Sequence, residues 1–285
     1  VDIIAKRRLW MSISGIIILV GLVSILFQGM NPGIDFSGGT IMEFTFDKNI
    51  SNTQIRDILK EMNLDKKSVV QQTENNSVLI RTEKLASAKT AELENNITSK
   101  FTSAKMLRTE AVGATIGKEL RTKALLALLL AALAIVAYIS MRFEFRFAVA
   151  AILALLHDVL IVLGIFSLLR IEINSPFVAA LLTIVGYSIN DTIVIFDRIR
   201  EKMKLSKKET FAELTNEAIL DTLPRSINTS LTTLLPILAI IFLGGTTIQN
   251  FMIALLIGML SGTYSSIFVA SPILVEWDQR KNIKR

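Results

Sequence analysis

Gly186-Tyr-Ser-Ile-Asn-Asp-Thr-Ile-Val-Ile-Phe-Asp-Arg198 ends an apolar stretch that starts at Phe177, and it places Asp191 inside that stretch. The stretch is long enough to cross about 30 Å of hydrocarbon as a helix. A carboxylate near the middle of such a helix costs roughly 2.5 to 3.5 kcal/mol on insertion scales. Acids retained at that cost face a polar cavity or a partner, and they commonly carry protons or ions. Two readings of Asp191 stay open at this point. It either carries a proton or ion, or it is a structural carboxylate hydrogen-bonded to a neighbouring helix.

The rest of the chain has the same character. Of its 285 residues 51% are hydrophobic, the mean hydropathy is +0.52, and the apolar residues come in runs. A window of about 19 residues finds six segments of spanning length, near Leu9–Phe27, Ala124–Met141, Phe147–Leu169, Pro176–Phe196, Ile227–Leu243 and Phe251–Leu274. The fold class is therefore an α-helical polytopic membrane protein with six transmembrane helices. Lys6-Arg7-Arg8 precede the first run, as they would a secretory signal. That run exceeds a signal's apolar core and no small-x-small site follows, so a retained anchor is expected.

Charge orders the segments. Sixteen of the 31 Lys and Arg lie at the N-terminus, at 142–146, at 198–225 and at the C-terminus. With six spans these four places share one side. The opposite loops hold no basic residue at 244–250 and only Arg170 near 170–175. This asymmetry places both termini in the cytoplasm. The expected organisation is 1–29 as cytoplasmic N-terminus and first span, 30–122 as a periplasmic domain, and 123–196 as spans two to four. A cytoplasmic amphipathic loop follows at 197–225, then spans five and six at 226–274 and a cytoplasmic C-terminus at 275–285. The net charge of +6 is thus topological and does not call for nucleic acid. With no cysteine, a disulfide framework and a thiolate metal site are excluded. The single histidine, His157, excludes a multi-histidine site. No nucleophile–base pair, metal constellation or nucleotide loop is visible, so neither a cofactor nor an enzyme is expected.

Residues 30–122 have ordinary soluble composition. Gly39–Phe46 reads as a strand, and Ser51-Asn-Thr-Gln54 as a capping box before a helix whose face is Ile55, Ile58, Leu59 and Met62. Ser68–Thr73 and Ser77–Thr82 read as strands about a turn at Asn75-Asn76. A helix over Ala86–Phe101 and a strand over Ala104–Val112 complete the order β-α-β-β-α-β, that of a small ferredoxin-like domain. The charged 197–225 segment reads as a solvated helix on the membrane surface or a docking face for a cytoplasmic partner.

Several polar residues bear on Asp191. It lies about six residues, roughly 9 Å, from the cytoplasmic end of its helix. Arg225, beside Pro224 at the start of the fifth span, can reach it if the two helices adjoin; otherwise it snorkels to water. Asn228, Thr229, Thr232 and Thr233 cluster in the fifth span, with Thr229 and Thr233 four apart. Such hydroxyls either wall a hydrated path or bond to their own helix. Ser188 and Asn190 can extend such a wall on the fourth span. His157-Asp158, within the third span, is either a clamp between helices or a support for proton transfer, since histidine titrates near pH 6.5. Gly33-Ile-Asp-Phe-Ser-Gly-Gly39 offers a tight turn and fits a phosphate loop poorly, because a strand follows it.

Four motifs together resemble one family. They are Gly33-Ile-Asp-Phe-Ser-Gly-Gly39, Val112-Gly-Ala-Thr-Ile-Gly-Lys-Glu-Leu120, Gly186 to Glu201, and Asn228-Thr-Ser-Leu-Thr-Thr233. The chain resembles the SecF side of the SecD/SecF family of bacterial protein-export membrane proteins, in the resistance-nodulation-division superfamily. The resemblance covers nearly the whole chain; Gly33, Asp35, Phe36, Gly38 and Gly39 form its shared glycine motif. It implies that Asp191 and Arg225, 34 positions apart, are the acid and arginine of a proton path. It also implies a second carboxylate on a SecD partner. The implied function is use of the proton-motive force, as a heterodimer with SecD, to drive late steps of translocation across the inner membrane. The further partners that the resemblance implies are YajC, YidC, the SecYEG translocon and the translocating polypeptide, besides protons and the lipid bilayer. The alternatives are a passive scaffold subunit and half of a small-molecule exporter of that superfamily.

Overall fold

The computed structural model describes residues 2–73, 76–205, 208–245 and 248–283. Along the chain run α1 (Arg7–Gln28), β1 (Gly39–Thr45), α2 (Asn52–Glu61), β2 (Val69–Thr73), β3 (Ser77–Thr82), α3 (Ser87–Lys100), β4 (Lys105–Val112), α4 (Ala114–Arg142) and α5 (Phe145–Leu168). They continue with α6 (Ser175–Leu205), α7 (Phe211–Leu243), α8 (Gln249–Ser265) and α9 (Ser271–Ile283), and a π-helical turn at Ser266–Ala270 joins the last two. The chain divides into two compact units, residues 32–125 and the remainder. Among the described residues six helical stretches are long and apolar enough to cross a membrane.

The 32–125 unit is a four-stranded antiparallel sheet of order β2-β3-β1-β4. With a helix after β1 and another after β3, this is the ferredoxin-like connection. The register explains the core. Met42 stands opposite Ile80, which stands opposite Val70, and Phe44 stands opposite Val78. Alternation sends these residues to one face, where Ile55, Ile58 and Leu59 of α2 and Leu93 and Ile97 of α3 join them in one buried cluster. The α2 start is built as its sequence requires: the Ser51 hydroxyl accepts from the Gln54 backbone N–H, and the Gln54 side chain accepts from the Ser51 N–H. Of the expected turn, Asn76 has φ 57, while Asn75 lies outside the described residues. The glycine motif is more than a turn. Ile34–Ser37 forms one helical turn, and the chain leaves it through Gly38 and Gly39 at φ +74 and +142. A Cβ on Gly39 would stand 2.6 Å from the Thr82 carbonyl oxygen, so no other residue fits there without displacing β3.

In the other unit α5, α6 and α8 carry much of the buried surface, whereas only 6% of the apolar window of α4 and 17% of that of α1 is buried. Lipid is as apolar as the helix surface, so close packing rather than the hydrophobic effect holds such helices together. Small residues permit it: Ala150, Ala151 and Ala154 on α5, Ala180 on α6 and Ala254 on α8 are fully or almost fully buried. Aromatic pairs fill the remaining space, with Phe147 and Phe196 edge-on at 5.2 Å and Phe166 and Phe177 at 4.5 Å between centroids.

One end of this bundle is charged. Arg7 of α1 pairs with Glu276 of α9 at 2.7 Å, Arg146 of α5 with Asp278 of α9 at 3.1 Å, and Arg142 of α4 with Asp197 of α6 at 3.4 Å. Lys202 of α6 bonds Glu217 of α7 at 2.8 Å, and Arg198 bonds Asp221. The 197–225 segment, expected as a charged amphipathic loop, is continuous with two of the long helices. Its described residues are mainly the last turns of α6 and the first turns of α7, held side by side by these pairs. Pro224 lies within α7. The last span also departs from expectation, since the π-helical turn interrupts it.

Candidate functional site

Asp191 and Ser226 meet where α6 packs against α7. The Ser226 hydroxyl donates to Asp191 Oδ1 at 2.7 Å, while Oδ2 is buried with no hydrogen-bond partner. Thr222, Ser226, Ser230, Leu234 and Ile237 are the buried row of α7, spaced three or four apart as one helix face must be. This face continues the polar contacts away from the charged end. Ser230 Oγ donates to the Ser226 carbonyl at 2.8 Å and pairs with Thr263 Oγ1 of α8 at 2.7 Å, and the Tyr187 hydroxyl donates to Ser230 Oγ at 3.3 Å.

The residues expected beside Asp191 lie elsewhere. Asn190, Arg225, Asn228, Thr229 and Thr232 are exposed on the bundle surface. Thr232 donates to the Asn228 and Thr229 carbonyls, and Thr233 donates to the Thr229 carbonyl at 2.8 Å. The expected wall of Thr229 and Thr233 therefore does not line Asp191, because helix geometry turns the 226/230 row inward and the 229/233 row away. Arg225 forms no ion pair with Asp191.

Ser188 belongs to a second cluster. Asp158, only 1% exposed, receives Ser188 Oγ on Oδ2 at 2.6 Å, Ser265 Oγ on Oδ2 at 2.8 Å and Ser261 Oγ on Oδ1 at 2.7 Å. His157 Nδ1 lies 3.0 Å from Oδ1. One carboxylate thus ties α5 to α6 and α8. The helices come close because Gly262 faces Ser188: a Cβ there would be 2.8 Å from Ser188 Cβ. The two clusters share α6. Thr192, next to Asp191, pairs through Oγ1 with Ser266 Oγ of the π-helical turn at 2.7 Å and donates to the Ser188 carbonyl at 3.2 Å.

Ser226, Ser230, Ser261 and Ser265 were not singled out in the sequence. Their signal was available: two pairs of serines four apart in apolar helices. Gly33, Asp35, Phe36, Gly38 and Gly39 lie in the other unit, and they build the turn into β1. Among the described residues no group of three or more His, Asp or Glu side chains is placed to hold a metal.

The fold and these clusters define a multi-pass membrane protein with a small α/β domain between its first two spans and carboxylates bonded between its helices. The family model for the protein export membrane protein SecD/SecF, C-terminal, matches residues 92–280, and the SecD/SecF GG motif matches residues 23–50. The chain belongs to the SecD/SecF family, and its role is in protein translocation. It is 42% identical over 273 residues to a protein translocase subunit SecF of Sebaldella termitidis, covering 94% of this chain and 89% of that one. It is 43% identical over 263 residues to a protein translocase subunit SecDF of Thermus thermophilus, covering 90% of this chain but 36% of that longer protein. A crystal structure of SecDF, a translocon-associated membrane protein from Thermus thermophilus, superposes with a TM-score of 0.92 at 40% identity, over 98% of this chain and 39% of that one.

Proposed function

We propose that this chain couples the proton-motive force to late steps of protein translocation, with Asp191 as the residue that binds and releases the proton. The observation that carries this is the half-satisfied carboxyl. Oδ1 has the Ser226 hydroxyl, and Oδ2 is buried and unpartnered. A buried acid with one free oxygen has room for a proton where a saturated one does not. Each proton moving down 100 mV releases about 2.3 kcal/mol. That biases a two-state equilibrium roughly fiftyfold, since 1.4 kcal/mol is tenfold. Arg225, exposed on α7 and adjacent in sequence to Ser226, supplies the positive charge that such an acid meets along its path.

The partner is a SecD-type chain, and the two form a heterodimer. The SecDF relatives, which this chain matches over little more than a third of their length, support this. The polar side chains of Asn190, Arg225, Asn228 and Thr229 on the open faces of α6 and α7 are suited to a polar seam with that partner. YajC, YidC and SecYEG complete the assembly in the inner membrane. The charged bundle end is cytoplasmic with both termini, residues 30–122 are periplasmic, and 197–225 is cytoplasmic. The work is transport without a catalytic centre.

Asp191→Asn tests the reading. The amide oxygen still accepts from Ser226 but the group carries no proton. In membrane vesicles the variant is expected to assemble with its partner, while the gradient-driven increment of export falls by about tenfold or more. A variant that assembles and still responds fully to the gradient leaves only a passive scaffold.

A further inference from the structure

We propose that His157 and Asp158 form a second proton-binding site in the bundle, with the imidazole as acceptor and the carboxylate as its fixed counter-charge. The proposal rests on the proton-driven reading above and extends it to the α5–α6–α8 contact. Both side chains are buried, at 5% and 1% exposure, more than two turns inside the apolar α5. His157 Nδ1 faces Asp158 Oδ1 at 3.0 Å. Against an ionised Asp158, which can only accept, that nitrogen carries the hydrogen of the neutral ring, and Nε2 presents its lone pair. Nε2 is buried and has no hydrogen-bond partner. Unpartnered buried polar atoms are rare enough to call for a reason. This one is the basic atom of the side chain type that titrates nearest neutral pH.

The carboxylate is not open in the same way. Three hydroxyls and the imidazole N–H occupy its two oxygens. A proton arriving on Asp158 must displace one of these four donors, whereas one arriving on Nε2 displaces nothing. Few other charges face the pair. From Leu9 to its end α1 has no Asp, Glu, Lys or Arg, and α8 with the π-helical turn offers only Tyr264. The Tyr264 ring stacks on the imidazole at 6.0 Å, and its hydroxyl bonds Ser14 and the Trp10 carbonyl. On the apolar part of α6 the titratable groups are Tyr187 and Asp191, and these bond towards α7, to Ser230 and Ser226.

Occupancy of this site reaches Asp191 through α6. Ser188 Oγ holds Asp158 of α5, and Asp191, three residues further along the same helix, is bonded to Ser226 of α7. Protonating Nε2 places an imidazolium against Asp158, so the carboxylate is drawn to a charge and its serine bonds to α6 and α8 are weakened. Ser265, one of these serines, directly precedes the π-helical turn, whose first residue, Ser266, bonds Thr192. A proton at either site therefore alters how α6 is held.

His157 is the only histidine of the chain, which makes the test spectroscopic. The full chain, labelled with nitrogen-15 at histidine and carrying no histidine tag, is placed in lipid nanodiscs with an unlabelled partner. The ring is expected to pass from the Nδ1–H neutral form to the doubly protonated form as the medium is acidified over the range in which the complex stays assembled. A ring that stays neutral, or stays charged, across this range overturns the proposal. Asp158→Asn is expected to abolish the preference for the Nδ1–H tautomer; an unchanged tautomer overturns the counter-charge role. In export vesicles His157→Gln, checked for assembly by co-purification, is expected to lower the gradient-driven increment by about tenfold. An untouched increment removes the site from transport. Asp191→Asn is expected to leave the His157 titration in place, so the failure of one site is read separately from that of the other.

Discussion

Ser226 Oγ donates a 2.7 Å hydrogen bond to Asp191 Oδ1 across the α6–α7 contact. The residue after Arg225, and not the arginine, is thus the direct partner of the intramembrane acid. The consequence is testable by stability. Ser226→Ala leaves a buried carboxyl oxygen without its donor, and unpaired buried groups cost about 1 to 3 kcal/mol. Thermal unfolding in detergent should register that loss, while Thr233→Val should stay within about 0.5 kcal/mol, because the Thr233 hydroxyl bonds only its own helix. Equal effects of the two substitutions would contradict the inward-facing 226/230 row.

Asp158 is expected to be the more costly acid to lose. Asp158→Ala leaves the hydroxyls of Ser188, Ser261 and Ser265 and the His157 N–H without their common acceptor. Breaking a buried charged network of this kind costs about 3 kcal/mol or more. Size-exclusion profiles after heating should show the variant aggregating at markedly lower temperature than Asp191→Asn. A profile like that of the parent would mean that the four bonds do not hold the bundle.

Gly262→Val probes the α6–α8 approach. The first carbon of any side chain there meets Ser188 Cβ at 2.8 Å. Overpacking of this kind costs about 1 to 3 kcal/mol, and here it also pushes Ser188 away from Asp158. The expected result is a lower melting temperature together with loss of the His157 tautomer preference. A variant as stable as the parent would show that the helices have room to separate.

The six spans and the small α/β domain could be read from the chain because each depends on local pattern. A run of about 20 apolar residues has one outcome in a bilayer, and the Ser51–Gln54 capping box acts within four residues of itself. Asp191 could be singled out for the same reason, since an acid in an apolar run is costly wherever the helix packs. The motif resemblance likewise needs only order along the chain. What needed the tertiary structure was every pairing between helices. Whether Asp191 meets Arg225, Thr229 or Ser226 depends on the rotation of α7 about its axis, on which these three positions spread over only about 100°. The same holds for Ser188, which lies one turn from Asp191 yet bonds Asp158 of α5. Four donors from three helices converge on Asp158 across up to 107 positions of sequence, and no local pattern encodes such a convergence. Composition and periodicity determined that this chain crosses the membrane and keeps an acid there. Helix rotation and close approach at Gly262 decided which hydroxyls hold that acid, and that a second carboxylate is bonded beside it.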